Sequence, residues 1–290
     1  MNTEVTEQTF NVGSPARLKV RNVRGKVELI PGADGVIKIE VTTHLDDGNP
    51  DYTQIELNQH DSGEVEARVR TPENSFGIFN RKPLRVDFKI EVPAQTNVDA
   101  KIVSGDIHAH GFTGSQHLAS VSGSLHLKDL SGTLDLDSVS GKIKGENLSG
   151  KGDISVVSGR MELTDCAFTS LKSSTVSGIK LNAVSGTLTL AVPKDTHCDA
   201  SASAISGRFY TDLNVSQSKV SKRNWKVRIG QGGPRVKMST VSGKMRLLSS
   251  FDATGSVPND VLMTHEARKD VLDRLQGGEI SVEDALKELG

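Results

Sequence analysis

The chain has 290 residues, enough for one long domain or two ordinary ones with a sizeable core. Its 35 basic and 36 acidic residues leave a formal charge of −1, so composition gives no general electrostatic reason to expect nucleic acid or an anionic membrane as partner. Aromatics are only 4% against 28 glycines, which favours short strands and many turns over a helical bundle.

The first ten residues carry Glu4 and Glu7 and no apolar h-region, so no secretory signal is expected. No stretch approaches the ~18 apolar residues of a membrane span. The expectation is a cytoplasmic protein, or one peripheral at the inner face of a membrane. Leu18, Val20, Val23, Val27 and Leu29 alternate around Gly25 as an early rung of the repeat that follows. Val36 to Val41, Gln54 to Leu57, Val65 to Val69 and Val86 to Val92 read as antiparallel strands. Residues 1–92 are thus expected to form an antiparallel β region that caps, and is continuous with, a repeat domain at 93–249.

That domain is written as a nine-residue repeat. Ser-Gly pairs end at Gly105, Gly123, Gly132, Gly141, Gly150, Gly159, Gly178 and Gly186, and Thr113-Gly114 fills the missing step. After Gly159 the phase slips by one residue, which predicts a bulge near Phe168. Apolar residues hold the second, fourth and seventh places after each glycine: Leu125, Leu127 and Leu130, then Leu134, Leu136 and Val139. Ile143, Gly145 and Leu148 follow, and after Gly159 come Met161, Leu163 and Cys166. Two apolar residues two apart mark a short strand with one buried face, the third anchors the chain before the corner, and Ser-Gly makes the corner. Nine residues cannot circle a core. Two units make an eighteen-residue coil with two flat sides, and coils stack about 4.8 Å apart by parallel pairing. The fold class expected is all-β: a single-stranded β-helix, or β-solenoid.

A larger self-similarity relates Val92 to Ala100 and Val192 to Ala200, and each proline in it, Pro93 and Pro193, should lie in a loop leading to a new sheet segment. Trp225 to Leu248 reads as a hairpin turning at Gly230 to Pro234, followed by a last rung at Val241-Ser242-Gly243. The Val-Ser-Gly units, the Val-Pro segments and the closing Gly-Gly-Pro-Arg-Val run resemble the bacterial β-strand-repeat family labelled "putative adhesin", domain of unknown function 4097, over Leu18 to Leu248. The resemblance implies a β-helical fold in an envelope- or stress-related setting, and no catalytic residues.

Composition changes after a linker at 250–259. Residues 260–290 read as a helical hairpin: Val261 to Leu275, a Gly277-Gly278 stop, and a second helix opened by the capping-box-like Ser281 to Asp284. This pair resembles a short C-terminal helical module appended to many bacterial proteins. Thirty residues cannot bury a core alone. The pair either caps the solenoid or docks a protein partner or a second copy through Val271, Leu275, Leu286 and Leu289.

Outward positions carry the remaining candidates. His108 and His126 lie eighteen residues apart and should stack, with His110 and Asp106 alongside, as a weak divalent-metal constellation. Asp135, Asp137 and Asp153 are the only carboxylates grouped as a polysaccharide-acting β-helix would need. Cys166 and Cys198 have no metal spacing and read as buried thiols, a disulfide being the alternative. No cofactor, catalytic residue, nucleic-acid partner or transmembrane segment is expected. The function expected is a non-catalytic scaffold or protein-interaction module, the alternatives being a self-assembling polymer and a polysaccharide-binding or polysaccharide-acting protein.

Overall fold

The computed structural model describes residues 2–71, 82–167, 178–221 and 223–250. The anticipated helical hairpin, its docking residues Val271, Leu275, Leu286 and Leu289, and the bulge near Phe168 lie outside the described residues. Residues 1–250 form one compact unit.

In chain order the strands are β1 (Thr3–Asn11), β2 (Ala16–Pro31), β3 (Val36–His44), β4 (Gln54–Gln59), β5 (Val65–Arg70), β6 (Arg85–Val92), β7 (Thr96–His110) and β8 (Thr113–Ser122). Then come β9 (Leu125–Lys128), β10 (Ser131–Glu146), β11 (Ser149–Thr164), β12 (Gly178–Val192), β13 (Cys198–Thr211), β14 (Val215–Ser221), β15 (Asn224–Ile229) and β16 (Arg235–Ser249). The long strands bend once, at a glycine. Their first legs stack as one flat side, face A, and their second legs as the other, face B. Each rung of the regular part pairs in parallel with the chain eighteen residues on: Gly114 opposite Gly132, Leu136 opposite Ile154, Gly141 opposite Gly159. The β-solenoid and its eighteen-residue coil are therefore present, and the core runs unbroken between the faces from Phe10 to Leu247.

The two corners of the coil obey different rules, which the alternation of Val-Ser-Gly units with Phe-Thr-Gly and Leu-Ser-Gly units reflects. At the Val-Ser-Gly corner the inward place belongs to the residue before valine, Ser138 in β10, while Val139 points out and is 47% exposed. Val139 is thus not the buried anchor expected of it, because the chain turns there with two successive outward residues. The glycine is sterically dictated: a Cβ on Gly123 would sit 1.9 Å from the carbonyl oxygen of Gly105, one rung away. At the opposite corner a left-handed residue precedes a buried plug. Asp129, Asn147 and Asp165 take φ of 52° to 53°, and Leu130, Leu148 and Cys166 follow them into the core. Asp and Asn tolerate that conformation better than other side chains.

Three further expectations need correction. The N-terminal strands are not purely antiparallel, since β5 and β6 each pair in parallel with one leg of β2. Antiparallel β4 then extends face A, and β3 and β1 extend face B. Gly178 is no corner glycine: it pairs with Arg235, and Gly186 is the residue opposite Gly159. The 27 residues between those two glycines are three whole nine-residue units, so the slip expected from Gly178 is absent from the pairing. Finally, β15 and β16 do not form a hairpin. β16 inserts between β12 and β13 as a parallel strand, β15 pairs antiparallel on the far side of β13, and the real hairpin is β14–β15. The last full rung is consequently β13. Pro93 and Pro193 do lie between strands, as expected.

Candidate functional site

Because side chains alternate along each strand, one residue from every first leg falls in a single row across the outside of face A. From the N-terminal end it reads Asn58, Glu66, Lys19, Asp99, His117, Asp135, Asp153, Lys180, Lys237, Ser201, Lys226 and Lys219. The row is sorted by charge. Its acidic half is already engaged in rung-to-rung bonds: Asp99 takes a bond from Arg21, Asp135 lies 2.8 Å from His117 Nδ1, and Asn182 donates to Asp153 at 2.7 Å. Burial, reinforced by Asp135, raises the Asp137 pKa against the opposing pull of His117. Asp135 and Asp153 do lie on adjacent rungs, as the spacing requires, and neither carboxylate is free.

The basic half forms an open cleft of about 780 Å³ lined by Lys180, Lys219, Lys226, Arg228, Arg235 and Lys237. Asp199 is the one carboxylate among its lining residues, and it bonds Arg228 at 2.9 Å. The Arg228 bond, together with the Gly233 N–H, holds Asp199 below the usual carboxylate range despite some burial. Charge balance over the whole chain hid this cleft, although five of its six cations fall between Lys219 and Lys237, in β14, β15 and β16, and only Lys180 comes from a distant strand. The legible signal was alternation, in Lys226-x-Arg228 and Arg235-x-Lys237.

On face B, His108 and His126 occupy adjacent rungs with ring centroids 4.6 Å apart and planes inclined by 23°. Donor atoms of Asp106, His108 and His126 lie within 4.8 Å of one another. His110 does not join them. It sits two residues along, with Nε2 3.6 Å from Asp129, because a strand spaces same-face neighbours by nearly 7 Å. The fit to a metal is poor. Asp106 already accepts the Ser124 N–H at 2.7 Å, and stacked imidazoles hold their lone pairs side by side, whereas zinc at about 2.0–2.1 Å from two nitrogens needs them converging. Burial, with Lys26 and His126 nearby, lowers the His108 pKa. A second group, His117, Asp135 and Asp137, has similar spacing; its first two members belong to the face A row and Asp137 lies beside it.

The Val-Ser-Gly corner presents a third feature. Val103, Val121, Val139, Val157, Val184, Val241 and Ile205 follow one another rung by rung, each between 44% and 62% exposed. Six rung spacings make this ridge about 29 Å long. The cysteines offer no chemistry: both are free and buried, and burial pushes the Cys166 thiol up to about 12 and the Cys198 thiol up to about 11.

The sequence profile of the Toastrack DUF4097 family matches residues 16–248. Among solved structures, a "putative cell adhesion protein" from Clostridium sporogenes overlaps at 11% identity, covering 85% of this chain and 100% of that one, with a TM-score of 0.33. A "putative adhesin" from Bacteroides fragilis (12% identity, 85% and 97% covered, TM-score 0.32) and a "putative lipid binding protein" from Parabacteroides distasonis (12%, 85% and 96%, 0.32) are similar to the same extent. No curated protein matches the chain.

Proposed function

We propose that this chain, which belongs to the Toastrack DUF4097 family, is a non-catalytic β-solenoid scaffold that pairs with a second copy of itself along the valine ridge. The observation that carries this reading is the ridge: seven β-branched side chains, each about half exposed, in one unbroken line. Single surface hydrophobes are ordinary, but a contiguous line of them marks an interaction surface. A second copy supplies a matching one, because rung spacing is fixed by backbone pairing and two ridges stay in step over their whole length. A two-fold axis across the ridge closes the contact as a dimer.

Charge selects the direction. Antiparallel ridges bring the acidic half of one face A row, with Asp99 and Asp135, toward the basic half of the other, whereas a parallel two-fold pair sets face A of one copy beside face B of the other and makes no such match. The non-catalytic part of the proposal is supported by the engagement of Asp135 and Asp153 in bonds between rungs. Two unpaired thiols fit a reducing compartment, so cytoplasmic placement, or a peripheral one at the inner membrane face, belongs to the same proposal.

Sedimentation velocity of the full chain over a micromolar concentration series tests it, beside Val139→Lys/Val157→Lys. The wild type is expected to pass from monomer to dimer, and the variant to stay monomeric with an unchanged circular dichroism spectrum. A wild type that remains monomeric throughout, or a variant that dimerises equally, would overturn the proposal. So would open-ended growth into filaments, the mark of end-to-end stacking.

A further inference from the structure

The basic cleft is independent of the ridge and of its pairing. In a chain of net charge −1 it gathers six cations around one lining carboxylate. Arg228 is bound to Asp199, and Lys180 reaches Asp153 at 3.8 Å. Lys219, Lys226 and Lys237 have no ion pair among the described residues. Lys180 stands directly opposite Lys237, and Lys226 directly opposite Lys219. Like charges in directly opposed cross-strand pairs destabilise a sheet. Two such pairs, one on either side of Ser201, are a liability to the fold, which an anion laid across them removes.

We propose that this cleft binds a flexible linear polyanion that carries phosphate groups and no bases. The shape indicates a chain: the lysines run across the strands at strand spacings of about 4.8 Å, interrupted once by Ser201, from Lys180 to Lys219 over about 19 Å, with Arg235 and Arg228 in a parallel row about 7 Å away. Gly178 keeps one end of the floor bare, since a Cβ there would lie 2.2 Å from the Arg235 carbonyl oxygen. Single-stranded nucleic acid is disfavoured because its binding grooves offer aromatic faces for base stacking. The lining of this cleft has none, and Trp225 points inward onto Phe209 at 6.2 Å. A bilayer is disfavoured because the surface is concave and its lining offers no large exposed apolar side chain to insert. Lysine outnumbers arginine, which suits point-charge attraction to a mobile polymer over bidentate recognition of one fixed group.

The test is binding of labelled inorganic polyphosphate to the full chain at low salt. It compares wild type with Lys219→Gln/Lys226→Gln/Lys237→Gln, and with a control that loses the same charge elsewhere, Lys89→Gln/Lys101→Gln/Lys144→Gln. Each cleft lysine is expected to be worth roughly fivefold in affinity, hence roughly 100-fold for the cleft triple, and less than threefold for the control. The dependence of affinity on salt should become shallower by roughly 2 logarithmic units per decade in the cleft triple alone. All six substitutions are at exposed positions, and Lys219→Arg/Lys226→Arg/Lys237→Arg is expected to retain binding, which separates lost charge from lost fold. Equal losses in cleft and control variants would overturn the proposal by reducing it to diffuse attraction. Tighter binding to an oligothymidine or to vesicles of anionic phospholipid, lost in the same cleft triple, would replace the polymer with nucleic acid or membrane.

Discussion

Replacing Gly123 by alanine probes the steric rule that sets the repeat. Two costs fall on that residue. Its φ of 151° lies where side-chain-bearing residues are strained, at about 1–3 kcal/mol. The new Cβ would also sit 1.9 Å from the Gly105 carbonyl oxygen, so neighbouring rungs must part by about 1 Å or more at the corner. That opening strains the two bonds that span the same gap, Ile107 N–H to the Ser124 carbonyl and Ser124 N–H to Asp106, at about 0.5–1.5 kcal/mol each. Together the loss is about 2–6 kcal/mol, a large share of the 5–15 kcal/mol that stabilises an ordinary fold. At about 2–4 °C per kcal/mol for a chain of this size, the melting temperature should fall by roughly 10 °C. Two companions separate the costs. Gly63→Ala has a left-handed φ of 77° and nothing within 4 Å, so it carries strain alone. Gly141→Ala lies outside the left-handed region but meets the Gly123 oxygen at 1.8 Å, so it carries the clash alone. Calorimetry should rank Gly123→Ala as most destabilised, then Gly141→Ala, then Gly63→Ala. A Gly123→Ala protein no less stable than Gly63→Ala would refute the reasoning.

Other substitutions test packing and charge. Gln116 is fully buried on face A between Val98 and Leu134, and both its amide atoms lack a partner among the described residues. Gln116→Leu should therefore raise stability by about 1–3 kcal/mol in a denaturant titration, and a loss would show that the amide is satisfied. Burial pushes the Asp87 pKa up, but bonds from Arg85, His44 and the Lys26 N–H outweigh it and hold the group below its ordinary value. A depressed carboxylate stabilises the fold above its unfolded pKa of about 3.9, and that contribution is lost as pH falls through the folded value. Asp87→Asn should thus be less stable than wild type at neutral pH, with the gap closing below about pH 4; a gap that persists unchanged into strong acid would contradict this. Asp47, lowered to about 2 by Arg24 and then Lys82, should be among the last carboxylates to protonate as the N-terminal cap is acidified. Zinc titrated into wild type and into His108→Ala/His126→Ala should give coincident weak isotherms, whereas a wild type that binds tenfold more tightly would show that the stacked rings reorient to chelate.

The repeat was legible because sterics wrote it. Each Val-Ser-Gly corner places a Cβ position on the carbonyl of the next rung, so glycine must recur with the coil. The difference between the corners was less legible: Leu130 and Val139 occupy the same place in their units, yet one plugs the core and the other faces water. The left-handed Asp129, Asn147 and Asp165 column distinguishes them, as does Val or Ile outside against Phe, Leu or Cys inside. The insertion of β16 between β12 and β13 is a choice among equivalent edges, and the Val-Ser-Gly of β16 and the Ile-Ser-Gly of β13 fit either place. The acidic and basic halves of face A become visible only once register is known. His110 misled for a related reason, since adjacency in sequence put it near His108 while the strand carried it away.

Cysteine crosslinking along the ridge tests the pairing most directly. In an antiparallel two-fold pair the central rung meets itself, so Val157→Cys should convert to a disulfide-linked dimer under mild oxidation. Val103→Cys, at one end, faces Ile205 of the other copy and should stay unlinked, with Cys166 and Cys198 buried and silent in both. Equal crosslinking at both positions, or none at Val157, would contradict the antiparallel ridge dimer.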